Sequence, residues 1–265
     1  MEALGDCFHN DFCSADRARA TRGRTEFART LTTIDSPAEL AKDFVRKMMK
    51  TWTTVFAMFV ACATSAAYAQ PVQGDAKAGE GKVAMCIGCH GIPGYQASFP
   101  EVHKVPMISG QSGAYIAAAL EAYRKGDRQH PSMRAIAQTL TDQDIADVAA
   151  YYQAHQAPAT SAAKPQDPPA QVAALIQKGA CISCHGEGFA KPIDATYPKV
   201  AGQHADYLYV ALKAYKTTNN HVLGRSNGIM APVVQQFSNQ ELKLLANYIS
   251  QLDGELTTVA QPRFR

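Results

Sequence analysis

The sequence predicts an all-α protein built from two tandem domains of similar structure. Three observations support this prediction. One pattern of residues occurs twice within the 265-residue chain. The segments around it carry apolar residues at the spacing of amphipathic helices, and no segment of useful length alternates apolar and polar residues as a half-buried strand would. A pattern that runs twice through most of a chain indicates two copies of one domain, and we expect about three to five helices in each.

The segment that precedes the repeat resembles a secretory signal peptide. Lys47 and Lys50 provide a positively charged start, residues 55–63 form an apolar run, and an A-x-A cleavage site ends at Ala69. We therefore assign residues 49–69 to a signal peptide and place the mature protein in the periplasm.

Residues 1–48 are then a non-native or unstructured extension, with synthesis starting at Met48 or Met49. Retention of the apolar run as an anchor and lipid attachment at Cys62 remain open as alternatives. The run is shorter than the about 20 residues that a spanning helix needs, so we expect no stable membrane insertion.

The mature chain from Gln70 has ordinary globular composition and little net charge. It contains 17 lysines and arginines against 15 aspartates and glutamates, a net charge of +2. No strongly basic stretch indicates a nucleic-acid partner. Of seven cysteines in the whole chain, four remain after Gln70, and all four belong to the repeated motif described below. No odd thiol is therefore left in an oxidising compartment.

Each domain is predicted to contain three matching helices. The first runs from about Ala76 to Met85 and from about Ala170 to Ala180. The second carries tyrosines and leucines in the same register in both domains: Tyr115, Leu120 and Tyr123, then Tyr207, Leu212 and Tyr215. The third begins at an N-cap, Thr141 or Ser238, with an acidic residue three positions later that completes a capping box. Its predicted buried face comprises Ile145, Val148, Ala149 and Tyr152 in one domain and Leu242, Leu245, Ala246 and Ile249 in the other.

These helices set the predicted domain boundaries. The first domain covers residues 70–155 and the second covers residues 170–252, followed by a C-terminal tail of residues 253–265. Residues 156–169 are rich in alanine and proline, which excludes a continuous helix and indicates a semi-rigid linker.

The motif at the centre of each repeat is a pair of thiols followed directly by a histidine. It consists of Cys86, Cys89 and His90 in the first domain and Cys181, Cys184 and His185 in the second. C-x-x-C-H is the attachment site of c-type haem, in which both thiols form thioethers and the imidazole binds the iron. The sequence therefore predicts two covalently bound haem c groups. A four-cysteine zinc site and two redox disulfides are the alternatives, but the zinc pairs usually lie about 15–20 residues apart and neither alternative requires the histidines.

A second axial ligand is predicted from two methionines in matching positions. Met133 lies 43 residues after His90, and Met230 lies 45 residues after His185. Both are expected in the loop before the last helix. A neutral thioether stabilises ferrous iron and fills the sixth coordination position, which suits electron transfer.

Other side chains compete weakly for this role. Met107 aligns with Lys199 in the repeat, so the second domain cannot share its role. The remaining histidines have no counterpart in the other domain and are predicted to be surface or hydrogen-bonding residues: His103, His130, His204 and His221.

Three motifs, each present twice, carry a family resemblance: C-x-x-C-H-G, P-x-x-x-G-Q and the methionine before the last helix. Each half resembles a class I cytochrome c, and the tandem resembles the di-haem cytochrome c4 family from Gln70 to about Gln251. The resemblance implies that the carbonyls of Pro106 and Pro198 accept a hydrogen bond from the axial histidines. Arg128 and Arg225, each five residues before its methionine, are candidates to bind haem propionates, with solvated loop arginines as the alternative.

The resemblance also implies a function. Members of this family carry electrons in the periplasm from a quinol-oxidising complex to a terminal oxidase, and we expect transient docking to such membrane-bound complexes and no catalysis. One alternative is an electron-accepting cytochrome subunit of a flavoprotein dehydrogenase, such as a sulfide dehydrogenase. A di-haem peroxidase is a further alternative, which the two methionines disfavour. Arg134, directly after Met133, has no counterpart in the second domain, and we expect unequal haem potentials.

Overall fold

The computed structural model divides the chain into two units, Met1–Ala69 and Gln70–Arg265. It describes residues 38, 41–42, 44–50, 72–155, 167–217 and 220–260. In the first unit, residues 44–50 are helical and exposed. The predicted cleavage site at Ala69, Cys62 and residues 156–166 of the predicted linker lie outside the described residues.

Across the described part of the second unit, the first domain contains five helices and two short strands of its own hairpin. The helices are α1 (Ala76–Glu80), α2 (Ala84–His90), α3 (Gly113–Lys125), α4 (Pro131–Gln138) and α5 (Asp142–Ala154). The predicted first helix is thus wrong in extent, because it is divided into α1 and α2. Helix α1 ends at Gly81, and α2 carries the first thiol motif.

The second domain repeats this order. Its helices are α6 (Ala170–Lys178), α7 (Cys181–His185), α8 (Ala205–Ala214), α9 (Met230–Gln235) and α10 (Asn239–Ser250), with a short 3₁₀ turn at Glu187–Phe189. No helix in the described residues is long and apolar enough to cross a membrane.

The last helix of each domain begins and packs as predicted. The Thr141 side chain accepts the Asp144 N–H while the Asp144 carboxylate accepts the Thr141 N–H, and Ser238 forms the same capping box with Glu241. All eight apolar residues predicted on the inner faces of these helices are buried, from Leu242 at 0% exposure to Ile249 at 8%. Helices α5 and α10 therefore close the two cores.

The prediction that both methionines lie in a loop is wrong. Met133 lies in the first turn of α4, and Met230 is the first residue of α9. The polar and proline-containing flanks start these helices: Pro131 occupies the first turn of α4, where its missing N–H costs nothing. The Asn227 side chain accepts the N–H of Met230 at 2.8 Å.

The part of the chain that the structure describes contains four two-residue strands, which are too short to give a period-two sequence pattern. Strands β1 (Gln96–Ala97) and β2 (His103–Lys104) form a hairpin in the longer loop of the first domain. Strands β3 (Arg128–Gln129) and β4 (Gly224–Arg225) pair antiparallel across the two domains and place Arg128 opposite Arg225.

The C-terminal segment also contacts both domains. Leu256 is 5% exposed, and the N–H of Thr257 donates to the carbonyl of Ser109 at 3.1 Å. The Lys199 side chain, in the second domain, pairs with Glu255 and donates to the Gly110 carbonyl of the first domain at 2.9 Å. The residues after α10 therefore hold the two domains together.

A buried carboxylate joins the first and last helices of the first domain. Asp147 is 2% exposed and accepts hydrogen bonds from Lys82 Nζ at 2.6 Å, Asp75 N–H at 2.8 Å and Gln143 Nε2 at 2.8 Å. These donors, led by Lys82, hold the pKa of Asp147 below its ordinary value. The second domain has Leu244 at the matching position.

We expect Asp147→Asn to lower the thermal unfolding midpoint at neutral pH by several degrees and to make unfolding less acid-sensitive. The folded-state pKa is depressed, so the charged form stabilises the fold above the ordinary carboxyl pKa of about 4. That stabilisation is lost as the pH falls through the folded-state value. Circular dichroism melts between neutral and acid pH test this. Asp142→Asn, which removes an exposed ion pair with Arg124, is the control with little expected effect. Equal pH profiles for wild type and Asp147→Asn would contradict the argument.

Candidate functional site

The structure brings the predicted site residues of the first domain to one cavity of 430 Å³. Helix α2 contributes Cys86, Cys89 and His90 to its wall, and α4 contributes Met133. Apolar side chains of the core, including Leu120 and Val148, complete the lining. The two thiols, the imidazole and the thioether therefore face one internal space.

The second domain contains a matching cavity of 250 Å³. Cys181, Cys184 and His185 reach it from α7, and Met230 reaches it from α9. Phe189 and Phe237 line this cavity, whereas the lining of the first cavity includes the histidines His103 and His130 together with Phe99. The two cavities share one donor set but differ in the polarity of their walls.

Each motif histidine is oriented by a backbone carbonyl. His90 Nδ1 lies 2.9 Å from the Pro106 oxygen, and His185 Nδ1 lies 3.1 Å from the Pro198 oxygen. A carbonyl only accepts, so Nδ1 carries the proton and Nε2 keeps its lone pair for a metal. Burial lowers the pKa of both imidazoles, with the carbonyl hydrogen bonds acting in the opposite direction. Both histidines are thus held in the neutral form that binds metals.

The thiols form two separate pairs. Cys86 and Cys89 line the first cavity, and Cys181 and Cys184 line the second. Burial raises the pKa of the Cys86 thiol to about 11 and also raises that of Cys181. Within the described residues, no three or more His, Cys, Asp and Glu side chains come together as a metal site. The four-cysteine zinc alternative does not fit this arrangement.

A cluster of arginines and tyrosines forms the wall between the cavities. We call it the junction cluster; its residues are Arg128 and Arg225 with Tyr115, Tyr123, Tyr207 and Tyr215. Arg128 donates to the Tyr115 hydroxyl at 2.8 Å, and Arg225 donates to the Tyr207 hydroxyl at 3.0 Å. Each guanidinium also lies over two tyrosine rings, 5.3–5.7 Å from their centroids. Tyr115, Arg128 and Tyr207 line both cavities.

The junction cluster provides a test of whether haem fits. Among the ion pairs of the described residues, none involves Arg128 or Arg225. Two partly buried cations facing one another without a carboxylate call for an anionic partner. Haem carries two propionates, and each cavity provides the other donors that it needs: two thiols, one Nε2 and a thioether. The second cavity has one methionine, Met230, and the first has Met133 together with Met85 and Met107. The residues present therefore fit one haem in each cavity.

The alternative candidates for the second axial ligand do not all lie at a cavity. Met107, His103 and His130 line the first cavity as well. His103 Nδ1 lies 2.8 Å from the Glu101 carbonyl, as predicted for a hydrogen-bonding histidine, whereas the buried His130 Nδ1 lacks a hydrogen-bond partner among the described residues. His204 precedes α8 as its N-cap residue, and His221 is exposed. The lining alone does not distinguish Met107 from Met133.

Sequence reasoning did not assign a site role to several residues that the structure places at the junction. Tyr115 and Tyr207 were identified only as helix positions, and Gln111 and Gln203 only as the end of a motif. Their signal was present, since each pair occupies the same place in the repeat. The information missing from the sequence was that these positions face the other domain.

Comparisons with known proteins agree with the repeat. The sequence model of the family described as Cytochrome c matches residues 76–156 and 169–253. Cytochrome c4 of Azotobacter vinelandii is 30% identical over 196 residues, covering 68% of this chain and 90% of that protein. The solved structure of cytochrome c4 from Acidithiobacillus ferrooxidans is 26% identical, with a TM-score of 0.50, and the match covers 64% of this chain and 99% of that chain.

A relative with a more specific description is also similar. The thiosulfate dehydrogenase electron acceptor of Stutzerimonas stutzeri (strain A1501) is 29% identical over 182 residues. The match covers 65% of this chain and 81% of that protein.

Proposed function

Because the chain belongs to the cytochrome c family, in its di-haem cytochrome c4 branch, and carries two covalently bound haem c groups, we propose that it is a periplasmic electron carrier between a quinol-oxidising complex and a terminal oxidase. The observation that carries this proposal is the pair of cavities with one shared wall. Each contains the same set of thiols, imidazole and thioether.

We assign the roles of the residues by domain. Cys86 and Cys89 would form the thioethers of the first haem, with His90 and Met133 as axial ligands. The second set is Cys181, Cys184, His185 and Met230. Bound haem supplies a one-electron ferric/ferrous couple. The two methionines would bind the haem iron and so would exclude exchangeable small ligands.

The surrounding residues orient and neutralise the bound group. The carbonyls of Pro106 and Pro198 hold the imidazoles through Nδ1 and increase their basicity. Arg128 and Arg225 would pair with propionates at the junction of the two cavities. Tyr115, Arg128 and Tyr207 line both cavities, which supports two centres that would lie next to each other. An electron that enters one domain then has a short internal route to the other.

This proposal is tested by reconstitution with membranes. The oxidised protein should be reduced by membranes that contain a quinol-oxidising complex when quinol is added, and an inhibitor of that complex should block reduction. The reduced protein should then be reoxidised by terminal-oxidase membranes, with matching oxygen uptake. Reduction that is insensitive to the inhibitor would exclude the proposed donor.

A second partner is favoured by the similarity to a thiosulfate dehydrogenase electron acceptor. In that case the haems in the same cavities would accept electrons from a periplasmic dehydrogenase. A flavoprotein dehydrogenase as the donor is a variant of this alternative. Reduction by thiosulfate in the presence of a thiosulfate dehydrogenase, at a rate above that with quinol and membranes, would support it. Reduction by sulfide with a flavoprotein would support the variant.

We expect two separate midpoints in a redox titration, with the first domain at the lower potential. The first cavity has His103 and His130 in its wall, whereas Phe189 and Phe237 line the second. A more apolar surrounding disfavours the extra charge of ferric iron and raises the potential. Optical titration with assignment by NMR of the axial methionine methyl groups measures this. Coincident midpoints, or the reverse order, would contradict the argument.

A further inference from the structure

Two glutamines bind the backbone of the opposite domain. Gln203, in the second domain, accepts the N–H of Met107 at 3.0 Å and donates to the carbonyl of the same residue at 2.8 Å. Gln111, in the first domain, accepts the N–H of Lys199 at 3.0 Å and donates to its carbonyl at 2.9 Å. Both glutamines are 4% exposed. The contact is therefore reciprocal, and both amides are removed from solvent.

Each glutamine is held in one orientation. A carbonyl needs a donor and an N–H needs an acceptor, so the amide cannot be reversed without losing both hydrogen bonds. The oxygen of each amide also accepts the N–H of the next residue in its own chain segment, Ser112 or His204, at 3.0 Å. The acceptor is thus fixed in place from its own domain.

The residue that each glutamine binds follows the proline that orients a motif histidine. The Pro106 oxygen accepts from His90, and the Met107 N–H donates to Gln203. These two atoms belong to one peptide group. In the second domain the peptide group between Pro198 and Lys199 links His185 to Gln111 in the same way.

Hydrogen bonds at the two ends of one peptide group strengthen each other. An acceptor at the N–H polarises the group and makes its carbonyl oxygen more negative. A more negative oxygen is a stronger acceptor for the Nδ1 proton, and this makes the imidazole a stronger electron donor to a bound metal. The effect passes through a single rigid amide, so it reaches the histidine without any change in the fold.

We propose that Gln203 and Gln111 are positioning residues that tune the axial histidine of the opposite domain, Gln203 acting on His90 and Gln111 acting on His185. The two reduction potentials are therefore set partly across the domain interface. This inference rests on the proposed axial role of the two histidines.

The test is a crossed comparison in the two-haem protein. We expect Gln203→Leu to raise the potential of the first haem and Gln111→Leu to raise that of the second, because a less basic histidine favours ferrous iron. The expected change in the reduction equilibrium constant is up to about tenfold, the lower end of the effect of losing an outer partner of a metal ligand. For a one-electron couple this equals about 59 mV. The NMR signals of the axial methionine methyl groups assign each midpoint to its domain.

A purely structural role predicts a different pattern. Each glutamine precedes its own helix, α3 or α8, and both glutamines line the first cavity. General damage would therefore fall on the haem of the variant's own domain, and a loss of polarity at the cavity wall would fall on the first haem in either variant. A shift of the second haem in Gln111→Leu separates the relay from both effects. A shift at the same-domain haem, equal shifts at both, or no shift would overturn the proposal. Gln153→Leu is the matched control: Gln153 Oε1 accepts the Gly113 N–H but contacts no peptide group next to Pro106 or Pro198. Both potentials should be unchanged in this variant.

Gln203→Glu extends the test to a variant of the same size, in case Gln203→Leu fails to fold. It keeps an acceptor oxygen for the Met107 N–H, replaces the donor nitrogen with a second oxygen and adds a negative charge when ionised. We expect the first potential to stay the same or fall, and a rise like that of Gln203→Leu would overturn the relay. Haem content and methionine ligation are measured first in the wild type. Absence of histidine–methionine ligation would overturn the proposed site and this inference together, whereas correct ligation with uncrossed shifts would overturn only this inference.

Discussion

Replacing both thiols of the second motif, Cys181→Ser with Cys184→Ser, should leave a protein with one covalent haem instead of two. The remaining haem should be attached to the first domain, since Cys86 and Cys89 line a separate cavity. Intact mass should fall by one haem, apart from the small change of two sulfurs to two oxygens. The haem absorbance per chain should be about half that of the wild type.

The same variant should lose stability mainly in the second domain. A covalently attached haem remains on the unfolded chain but packs against apolar side chains only in the folded state. Its loss leaves the apolar walls around Phe189, Phe237 and Leu242 without a partner. We expect the helical signal of that domain to melt at a lower temperature. The mirror variant, Cys86→Ser with Cys89→Ser, is the control and should show the reverse pattern. Two haems in either variant would refute covalent attachment at these thiols.

Met133→Ala should open the sixth coordination position of the first haem, whereas Met107→Ala should not. Both side chains line the same cavity, so they are a matched pair. Loss of a thioether ligand removes the preference for ferrous iron, and the first midpoint should fall by on the order of 0.1 V, a fraction of the roughly 0.8 V that axial ligands set across haem proteins. The weak far-red absorption band that accompanies methionine ligation of ferric haem should lose the contribution of one haem.

Carbon monoxide binding provides the second readout of this pair. Met133→Ala should bind carbon monoxide at one haem per chain, while the wild type and Met107→Ala should not bind it readily. If Met107→Ala opened the site instead, the methionine ligand of the first haem would come from a different position in the repeat than the methionine ligand of the second haem. Met230→Ala should reproduce the effect of Met133→Ala in the second domain.

The repeat predicted the elements of this fold that depend on local chemistry. The capping boxes at Thr141 and Ser238 formed as expected, because they need only residues three positions apart. The buried faces of α5 and α10 followed from helical spacing. The division between α1 and α2 and the helices that carry Met133 and Met230 were predicted incorrectly. In these segments glycine, proline and asparagine start or end short helices, and the sequence pattern does not distinguish that from a loop.

The amino-acid sequence by itself determined the two c-type haem sites and their all-α domains, because thiols, a histidine and helical periodicity act over a few residues. Only the tertiary structure decided what lies between the domains. Residues far apart in the chain meet there in three ways. Strands β3 and β4 bring Arg128 opposite Arg225, the junction cluster forms around them, and Gln111 and Gln203 bind the backbone of the opposite domain. Such contacts arise when the two folded domains bury polar groups that must find partners in each other, and no local pattern encodes which partner each group finds.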